Sequence, residues 1–523
     1  MRLRYRRGSG FCIALYLYCK YRVRTFRLLL LLLTTAHSQF LTSHSFPLSF
    51  LVRISPYETN SEVNPLPNQE YKHSVSLDVT KCKGCTTCLK RCPTEAIRIR
   101  DGHAVIHSAR GIDCGECIRL CSYKAKKATH DSLDRLSDYN YRIALPAPAL
   151  YGQFDNMENI GYILAGLRKM GFDMVYEVAR AAELVSAYTR FYLHREDIPR
   201  PVISSACPVI TRIIGMNFPM LGENIIPLLP PIEIAADLAR KQAMAEHPEL
   251  SPADIGVFFI SPCPAKVSYV KNGFAGERNH IDCVLSVRDV YFALIDIMKH
   301  LPEPSETTEA GMIGIGWASC GGEASAIFNE HYLAADGIEN CIRVLEQIDN
   351  ETISDLDYVE LNACNGGCVG GVMTVANPYI AQARLQSLKR YLPVSPNRPK
   401  IDDYIPENAF SPEVVQYNPY NLLSDDRAEA MRMMSDIEAI CGDLPGLDCG
   451  SCGAPTCMAF AEDIVKGETN ADECTVTMRM IFHDYLLKRR EAHEINPLKK
   501  WMAPEWRNHD DGSDPEKEDH SDG

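Results

Sequence analysis

Three apolar segments of this chain each lead directly to a cysteine. The segments are residues 201–206, 254–262 and 358–363, and the cysteines are Cys207, Cys263, Cys364 and, four residues further on, Cys368. Short apolar runs of this kind predict buried β-strands. Because open α/β sheets carry their chemistry at the carboxyl ends of the strands, we expect the four thiols to lie close together. Four converging thiolates are a ligand set for an iron–sulfur cube.

A second set of cysteines has the CxxCxxCxxxCP spacing of bacterial ferredoxins. Its residues are Cys82, Cys85, Cys88, Cys92 and Pro93. In that pattern three thiolates bind one cube and the fourth binds the neighbouring cluster. The segment that follows predicts a β-hairpin with an Asp101-Gly102 turn, as a domain with two clusters requires. We therefore predict a small α+β, ferredoxin-like domain over residues 72–130.

The second cysteine motif of this domain is incomplete. Gly111 stands where the first cysteine is expected, and the remaining cysteines are Cys114, Cys117 and Cys121. If the crossed pattern holds, Cys121 completes the cluster of Cys82, Cys85 and Cys88. The other centre then has only Cys92, Cys114 and Cys117. It is a three-iron cluster, a cube with a non-cysteine ligand, or absent, and losing a thiolate changes its potential.

A third cysteine cluster lies near the C terminus. It consists of Cys449, Cys452, Cys457 and Cys474. The spacing favours a further 4Fe-4S cluster, with zinc as the alternative. A helix over residues 458–466 is predicted to end at Gly467. We assign residues 425–490 to a small, mainly helical iron–sulfur domain, and the acidic segment 505–523 to a disordered tail.

Composition limits the possible classes of protein. The 523 residues correspond to about three domains of roughly 150 residues each. A net charge of −14 argues against a general nucleic-acid partner. The 21 cysteines occur mainly in CxxC units, which favours metal binding in a reducing compartment over a disulfide scaffold. We expect a cytoplasmic protein with no membrane span in its core.

The first 71 residues differ from the rest of the chain. Residues 1–57 carry nine Lys and Arg and no Asp or Glu. Two apolar runs follow arginines, and neither reaches the roughly 20 residues of a membrane-spanning helix. The segment is a signal peptide or membrane anchor, which leaves export or anchoring open, or it reflects a start codon assigned too far upstream.

Residues 140–400 alternate between strand-like and helix-like segments. Residues 141–146 and 173–178 predict strands, while 179–190 and 232–244 have helical apolar spacing. This alternation predicts an α/β domain with largely parallel sheets.

The three central cysteine motifs resemble the active-site loops of FeFe hydrogenases, and the resemblance extends over about residues 72–490. It implies that Cys207, Cys263, Cys364 and Cys368 bind a 4Fe-4S cube and that Cys368 bridges to a diiron subsite, the whole being the H-cluster. It also implies about three to four 4Fe-4S clusters in all. The expected partners are hydrogen and protons, maturation proteins, and a soluble electron carrier such as ferredoxin or a flavin- or nicotinamide-binding subunit.

The match includes a lysine and contains informative departures. Lys266 corresponds to the family lysine that contacts a cyanide ligand, an interaction of the charge-assisted kind. Catalytic members have a proton-relaying cysteine where this chain has Ala206. Ser261 and Asn362 replace methionines, so the surroundings are more polar. Ser261 and Glu323 are candidates for another proton path. The predicted catalytic residues are therefore Cys368, Lys266, Ser261 and Glu323.

Together these features predict a hydrogenase-like enzyme that oxidises hydrogen reversibly, with slow turnover because the relay is lost. Two alternatives stay open. One is a hydrogen or redox sensor that uses the same site, and the other is an electron-transfer protein without a diiron subsite. Retention of Cys368 and Lys266 argues against the last of these, since a lone cube needs no such lysine.

Overall fold

A computed structural model describes residues 71–273, 280–303, 306–353, 355–401, 403–411 and 423–491. Nearly all of the N-terminal extension and the acidic tail 505–523 lie outside these described residues. Within the described part of the chain, no helix is both long and apolar enough to cross a membrane.

The ferredoxin-like domain contains two short antiparallel sheets and two short helices. Its elements are β1 (Val75–Leu77), α1 (Thr87–Lys90), β2 (Ile97–Arg100), β3 (His103–Ile106), α2 (Glu116–Arg119) and β4 (Lys126–Ala128). Strand β1 pairs with β4, and β2 pairs with β3. Asp101 and Gly102 have φ values of 50° and 76°, the left-handed conformation that a tight hairpin turn needs. The predicted hairpin is confirmed.

The central region contains two parallel sheets. Their strands are β5 (Tyr141–Pro146), β6 (Met174–Val175), β7 (Val202–Ile203), β8 (Ile255–Ser261), β9 (Cys283–Ser286), β10 (Tyr332–Asp336) and β11 (Tyr358–Asn362). One sheet has the order β6-β5-β8-β9 and the other β10-β11-β7. Every pairing in both sheets is parallel. This confirms the predicted α/β class, but the three strands that lead to cysteines are divided between the two sheets.

Helices connect these strands and cover the sheets. They are α3 (Gly161–Met170), α4 (Val178–Leu193), α5 (Pro208–Asn217), α6 (Pro231–Glu246), α7 (Pro264–Asn272), α8 (Val287–Met298), α9 (Met312–Gly316), α10 (Gly322–Ser325), α11 (Ile338–Asp349) and α12 (Pro378–Lys389). The two helical segments predicted from apolar spacing lie within α4 and α6. Parallel strands need such crossovers because consecutive strands point the same way.

Strand β8 shows why the central sheet is buried on both faces. Val257 and Phe259 belong to one apolar cluster, whereas Phe258 and Ile260 belong to another. Alternate side chains of a strand point to opposite faces, so each face of the sheet has its own core. The first of these clusters also contains Tyr358 of β11, and the two sheets therefore share a core.

The C-terminal region is helical, with α13 (Arg427–Asp443), α14 (Cys457–Val465) and α15 (Thr475–Glu491). Gly467, at φ 72°, follows α14, which agrees with the predicted end of that helix. Asp463 of α14 is buried and accepts hydrogen bonds from Arg98 Nε at 2.6 Å and Arg100 Nη2 at 2.5 Å. These two arginines belong to β2, so the C-terminal domain docks on the ferredoxin-like hairpin through a buried ion pair.

Candidate metal and active site

Two of the four central cysteines stand directly before a helix. Cys207 precedes α5 and Cys263 precedes α7, and each is followed by a proline at the first helical position. Proline suits that position because its fixed φ matches the helix and its missing N–H would have no helical partner there. The positive end of each helix dipole favours an anionic group at the cysteine. The local sequence thus prepares both positions for a thiolate.

The other two cysteines lie on a glycine-rich loop after β11. Gly367 has a φ of +86°, and a Cβ there would stand 2.5 Å from the backbone nitrogen of Cys320. A Cβ at Gly371 would stand 2.2 Å from the carbonyl oxygen of Pro262. These close approaches are possible only for glycine. The loop that carries Cys364 and Cys368 is therefore packed directly against the loop that carries Cys263.

The four central thiols lie together in an apolar setting. Burial raises the pKa of Cys207, raises that of Cys263 to about 12, and raises that of Cys364 well above its ordinary value. Negative charge on Cys368 raises the pKa values of these three thiols further. A set of buried thiolates therefore needs positive charge from a metal or from the protein.

Lys266 supplies part of that positive charge. Its Nζ lies 3.8 Å from Sγ of Cys368. Burial lowers the pKa of Lys266, but charge on Cys368, Cys263 and the other two cysteines outweighs it, and the net pKa is raised. This direction depends on negative charge at the cysteines, which is the charge they carry as metal-bound thiolates.

The donor set fits an iron–sulfur centre. All four side chains offer sulfur, the ligand of iron–sulfur clusters and of thiolate zinc sites. Within the described ranges, no three His, Cys, Asp or Glu side chains meet closely enough to hold one metal ion. A cube instead requires one thiolate at each of four separate iron corners. Three loops that close over one another, with a lysine beside Cys368, match that requirement.

A pair of buried carboxyl groups lies next to the first cysteine loop. Glu323 Oε1 accepts hydrogen bonds from Ser204 Oγ at 2.8 Å and from Tyr358 Oη at 2.6 Å. Glu360 accepts hydrogen bonds from the backbone N–H groups of Gly321 at 3.0 Å and Ala324 at 2.8 Å. Burial, reinforced by the nearby Glu360, raises the pKa of Glu323 to about 8. Glu323 can therefore hold or release a proton near neutral pH.

The remaining polar candidates have local partners. Ser261 Oγ donates to the carbonyl oxygen of Cys263 at 3.0 Å and accepts from its N–H at 3.2 Å. Ser261 is fully buried and holds the cysteine loop in shape. Asn362 Nδ2 donates to Glu360 at 2.6 Å. A proton-transfer role for Ser261 stays a prediction, whereas Glu323 is connected to the first cysteine loop through Ser204.

In the ferredoxin-like domain the structure groups the cysteines as the crossed pattern requires. Burial raises the pKa of Cys88, and the other cysteines whose charges raise it are Cys85, Cys121 and Cys82. Burial likewise raises the pKa of Cys114 well above its usual value, with Cys117 and Cys92 as its cysteine neighbours. One set has four thiols and the other has three. The fifteen cysteines predicted as ligands are all free thiols.

The space next to Gly111 is filled by an imidazole. A Cβ at Gly111 would stand 2.7 Å from Cε1 of His73. Nδ1 of His73 lies 3.1 Å from Oδ2 of Asp113, and Nε2 lies 2.8 Å from the carbonyl oxygen of Ser108. Because both ring nitrogens have partners, His73 is not free to act as a metal ligand in this arrangement. The fourth corner of the second cluster site therefore has no evident protein ligand among the described residues.

The incomplete motif is the one that lies against the central site. Arg119 Nη2 donates to the carbonyl oxygen of Gly370 at 3.0 Å, and Gly115 packs on Val372. Cys114 and Cys207 both pack against one apolar cluster, which also contains Cys263. The three-cysteine centre thus lies between the four-cysteine centre and the central loops.

The first motif, in contrast, lies against the C-terminal domain. Lys90 Nζ donates to the carbonyl oxygen of Pro455 at 2.8 Å. The N–H of Ile99 donates to the carbonyl oxygen of Gly453, also at 2.8 Å. One cavity is lined by all four C-terminal cysteines, namely Cys449, Cys452, Cys457 and Cys474. The four thiols predicted from spacing are therefore brought together. Cys441, on α13, is not among the residues that line this cavity.

Comparison with known protein families agrees with these sites. The model of the iron-only hydrogenase large subunit, C-terminal domain, matches residues 140–329 and 322–372. A 4Fe-4S dicluster domain matches residues 74–122, and a putative Fe-S cluster domain matches residues 444–476. The chain is therefore similar to FeFe hydrogenases in its central region and to iron–sulfur domains on either side of it. The hydrogenase match covers all four central cysteines and Lys266.

The chain is also similar to individual hydrogenases. It is 25% identical over 386 residues to a periplasmic Fe hydrogenase large subunit from Nitratidesulfovibrio vulgaris, covering 61% of this chain and 90% of that protein. A variant FeFe hydrogenase from Chlamydomonas reinhardtii is 17% identical, with a TM-score of 0.43, and covers 55% of this chain and 98% of that one. A hydrogenase structure concerned with stepwise assembly of the H-cluster is 18% identical to this chain, with a TM-score of 0.40. The match covers 50% of this chain and 90% of that one.

Sequence analysis missed several residues of this hydrogenase-like site. Tyr358 and Ser204 hold Glu323, and His73 fills the space beside Gly111. Spacing alone gives no signal for these contacts, since the partners of Glu323 are 119 and 35 residues away along the chain. Aligning the two halves of the ferredoxin-like domain would have drawn attention to the residues that differ between them.

Glu323 makes stability depend on pH. Its pKa of about 8 in the folded protein exceeds the ordinary value of 4.5, so the folded state holds a proton that the unfolded chain releases. The resulting stability is complete below about pH 4.5 and is lost as the pH rises toward about 8. We expect Glu323→Gln to flatten this dependence, measured as the unfolding midpoint of the anaerobic holoprotein. Exposed Glu346→Gln is the control; an unchanged slope in Glu323→Gln would contradict the assignment.

A side chain at position 111 and the His73 ring would compete for the same space. A cysteine introduced at position 111 meets the His73 ring, which two hydrogen bonds hold in place. We expect Gly111→Cys alone not to complete the second cluster, and Gly111→Cys with His73→Ala to do so. The measurement is iron per protein together with the electron paramagnetic resonance spectrum. His73→Ala alone is the control, and a complete cluster in the single Gly111→Cys protein would show that His73 is no obstacle.

Proposed function

We propose that this protein interconverts hydrogen with protons and electrons, H₂ giving two protons and two electrons, with slow turnover. The observation that carries the proposal is the position of Lys266, whose Nζ lies 3.8 Å from Sγ of Cys368 within the four-cysteine set. An electron-transfer cube needs four thiolates but no ammonium directed at one of them. When bound, an H-cluster with a diiron subsite supplies the chemistry that splits hydrogen.

The chain's own residues would hold and orient that group. Cys207, Cys263, Cys364 and Cys368 would be its ligands, and Lys266 would donate to an anionic ligand of the subsite. The glycines of the third loop allow the backbone to come close to a bulky inorganic group. Ser261 keeps the Cys263 loop in shape through its two hydrogen bonds.

Proton transfer would use Glu323 rather than a cysteine. Ala206 cannot titrate, but its N–H donates to Ser204 Oγ at 3.1 Å, and this hydroxyl donates to Glu323 at 2.8 Å. The positive charge of Lys266 also acts on Glu323, lowering its pKa against the larger effect of burial. Glu323 would therefore exchange protons near neutral pH, with Ser204 linking it to the first cysteine loop.

Electrons would move along the line of centres that the contacts define. The order is the C-terminal cluster, the centre of Cys82, Cys85, Cys88 and Cys121, the three-cysteine centre, and then the central cube. Direct contacts join each neighbouring pair of motifs, including Lys90 with Pro455 and Arg119 with Gly370. The charge and the potential of the three-cysteine centre thus control electron flow to and from the central site.

A soluble, acidic electron carrier is the partner that the surface favours. A cleft of about 550 Å³ lies between the incomplete motif and the third cysteine loop. Its lining includes Arg119, Lys124 and Arg288 with a single carboxylate, Asp289. Opposite charge on a carrier would steer its encounter with this cleft. Free thiols at all predicted ligands suit a reducing compartment, and we place the protein in the cytoplasm, with hydrogenase maturation proteins as further partners.

A sensory role is the second candidate. Ala206 in place of a titratable side chain favours it, because a slow site can still report hydrogen through its redox state. The two functions use the same ligands and differ in turnover rate and in the partner that receives the signal.

Infrared spectroscopy tests the diiron subsite. The full-length protein, produced anaerobically with hydrogenase maturation proteins, is measured under argon and then under hydrogen. We expect carbonyl and cyanide bands that shift under hydrogen. A protein that is fully loaded with iron and sulfide but shows no such bands would be an electron-transfer protein instead.

Replacement of Ala206 tests whether the missing proton relay limits the rate of hydrogen turnover. We expect Ala206→Cys to raise hydrogen turnover because the new thiol can relay protons, by about 10²- to 10⁴-fold where proton transfer limits the rate. Ala206→Ser is the matched control, since its hydroxyl does not titrate near neutral pH. Turnover is compared at equal intensity of the infrared bands. An unchanged or lower rate in Ala206→Cys would count against the lost relay as the cause of slow turnover.

A further inference from the structure

The ferredoxin-like domain is an internal repeat whose halves can be aligned residue by residue. Cys92 and Cys121 each accept a hydrogen bond at 3.3 Å from the N–H of the alanine four residues later. The residue before each alanine has a left-handed backbone, with φ 51° at Glu95 and 53° at Lys124. The next residue starts a strand in both halves, which aligns Ile97 of β2 with Lys126 of β4.

The aligned positions are both buried but differ in chemistry. Ile97 is 2% exposed and packs in an apolar cluster with Cys88, Leu89 and Ala104. Lys126 is 3% exposed, and its Nζ has no hydrogen-bond partner among the described residues. A buried ammonium without a partner is costly, so an anion is expected to offset its charge. Cysteines of both cluster sites lie within reach of its charge, and metal-bound thiolates at these positions would supply that anion.

The charge of Lys126 reaches cysteines of both cluster sites. Lys126 directly follows Ala125, whose N–H donates to Sγ of Cys121 at 3.3 Å. The positive charge of Lys126 acts on Cys121, Cys88 and Cys117. Cys88 and Cys121 belong to the four-cysteine centre and Cys117 to the three-cysteine centre. Lys126 thus acts on both.

We propose that Lys126 is a fixed cation that stabilises the reduced iron–sulfur centres of the ferredoxin-like domain and raises their reduction potential. Reduction adds one electron to a cluster and no proton, so the reduced form carries one more negative charge. A nearby ammonium in a low-dielectric setting favours that form. Net charge and hydrogen bonds to sulfur are among the factors that set cluster potentials. Ile97, at the aligned position, has no such effect.

This inference rests on the proposed presence of the clusters but not on hydrogen chemistry. Lys126 would act on the clusters through its positive charge and need not contact the substrate. Its effect is therefore measured as a potential in the full-length holoprotein, without hydrogen and without an electron carrier. Failure of the diiron site would remove the infrared bands and leave these potentials measurable.

The experiment is a redox titration followed by electron paramagnetic resonance. It compares Lys126→Met and Lys126→Gln, which remove the charge, with Lys126→Arg, which keeps it. Lys127→Met is the matched control, because Lys127 is the next residue of β4, is exposed, and points to the opposite face. Iron and sulfide contents are measured for every variant.

We expect the two neutral variants to lower the ratio of reduced to oxidised cluster about tenfold at a fixed potential, which is about 59 mV for a one-electron couple. Lys126→Arg and Lys127→Met should keep the wild-type potentials. Unchanged potentials in loaded Lys126→Met or Lys126→Gln would overturn the proposal.

Loss of clusters is also decisive. If both neutral variants lose iron while Lys126→Arg stays loaded, positive charge is needed to hold the anionic centres, which supports the proposal. If Lys126→Arg loses iron equally, the side chain matters for its shape rather than its charge, and the proposal is wrong.

Discussion

The free-energy cost of burying several thiolates together is the main physical constraint on this structure. Burial is the largest cause that raises the pKa of three of the four central cysteines, so the apolar surroundings by themselves favour neutral thiols. Metal binding requires the ionised form. The chain lowers the cost by placing Cys207 and Cys263 at helix N-termini and Lys266 beside Cys368. Tightly packed glycine loops then keep water from screening these charges.

The same constraint explains why the incomplete motif matters. It lies between the four-cysteine centre and the central loops, where a missing thiolate removes one negative charge and His73 fills the space. Lys126 adds positive charge at the boundary between the two centres. If the proposed clusters are bound, both differences would favour the reduced form of the ferredoxin-like centres relative to a symmetric domain with eight thiolates. The asymmetry between the two halves is therefore electrostatic as well as structural.

Local sequence was sufficient to predict the cluster motifs, the Asp101-Gly102 hairpin, the helix before Gly467 and the parallel α/β class, because spacing and turn residues act over a few positions. It could not predict that the cysteine strands belong to two sheets, since strand order depends on packing between distant segments. Nor could it predict that Asp463 pairs with Arg98, 365 residues away. Charge pairs of this kind have no local periodicity, and only the folded chain brings them together.

Buried polar residues next to the first cysteine loop provide the group that can hold a proton. With Ala206 in the first loop, Ser204 and Tyr358 hold Glu323 through hydrogen bonds of 2.8 and 2.6 Å. These bonds favour its charged form and lower the pKa, but burial and Glu360 outweigh them. A carboxyl group held in this way can store a proton near neutral pH. The titratable group of this part of the structure is therefore a buried glutamate, connected through Ser204 to the loop in which Ala206 cannot titrate.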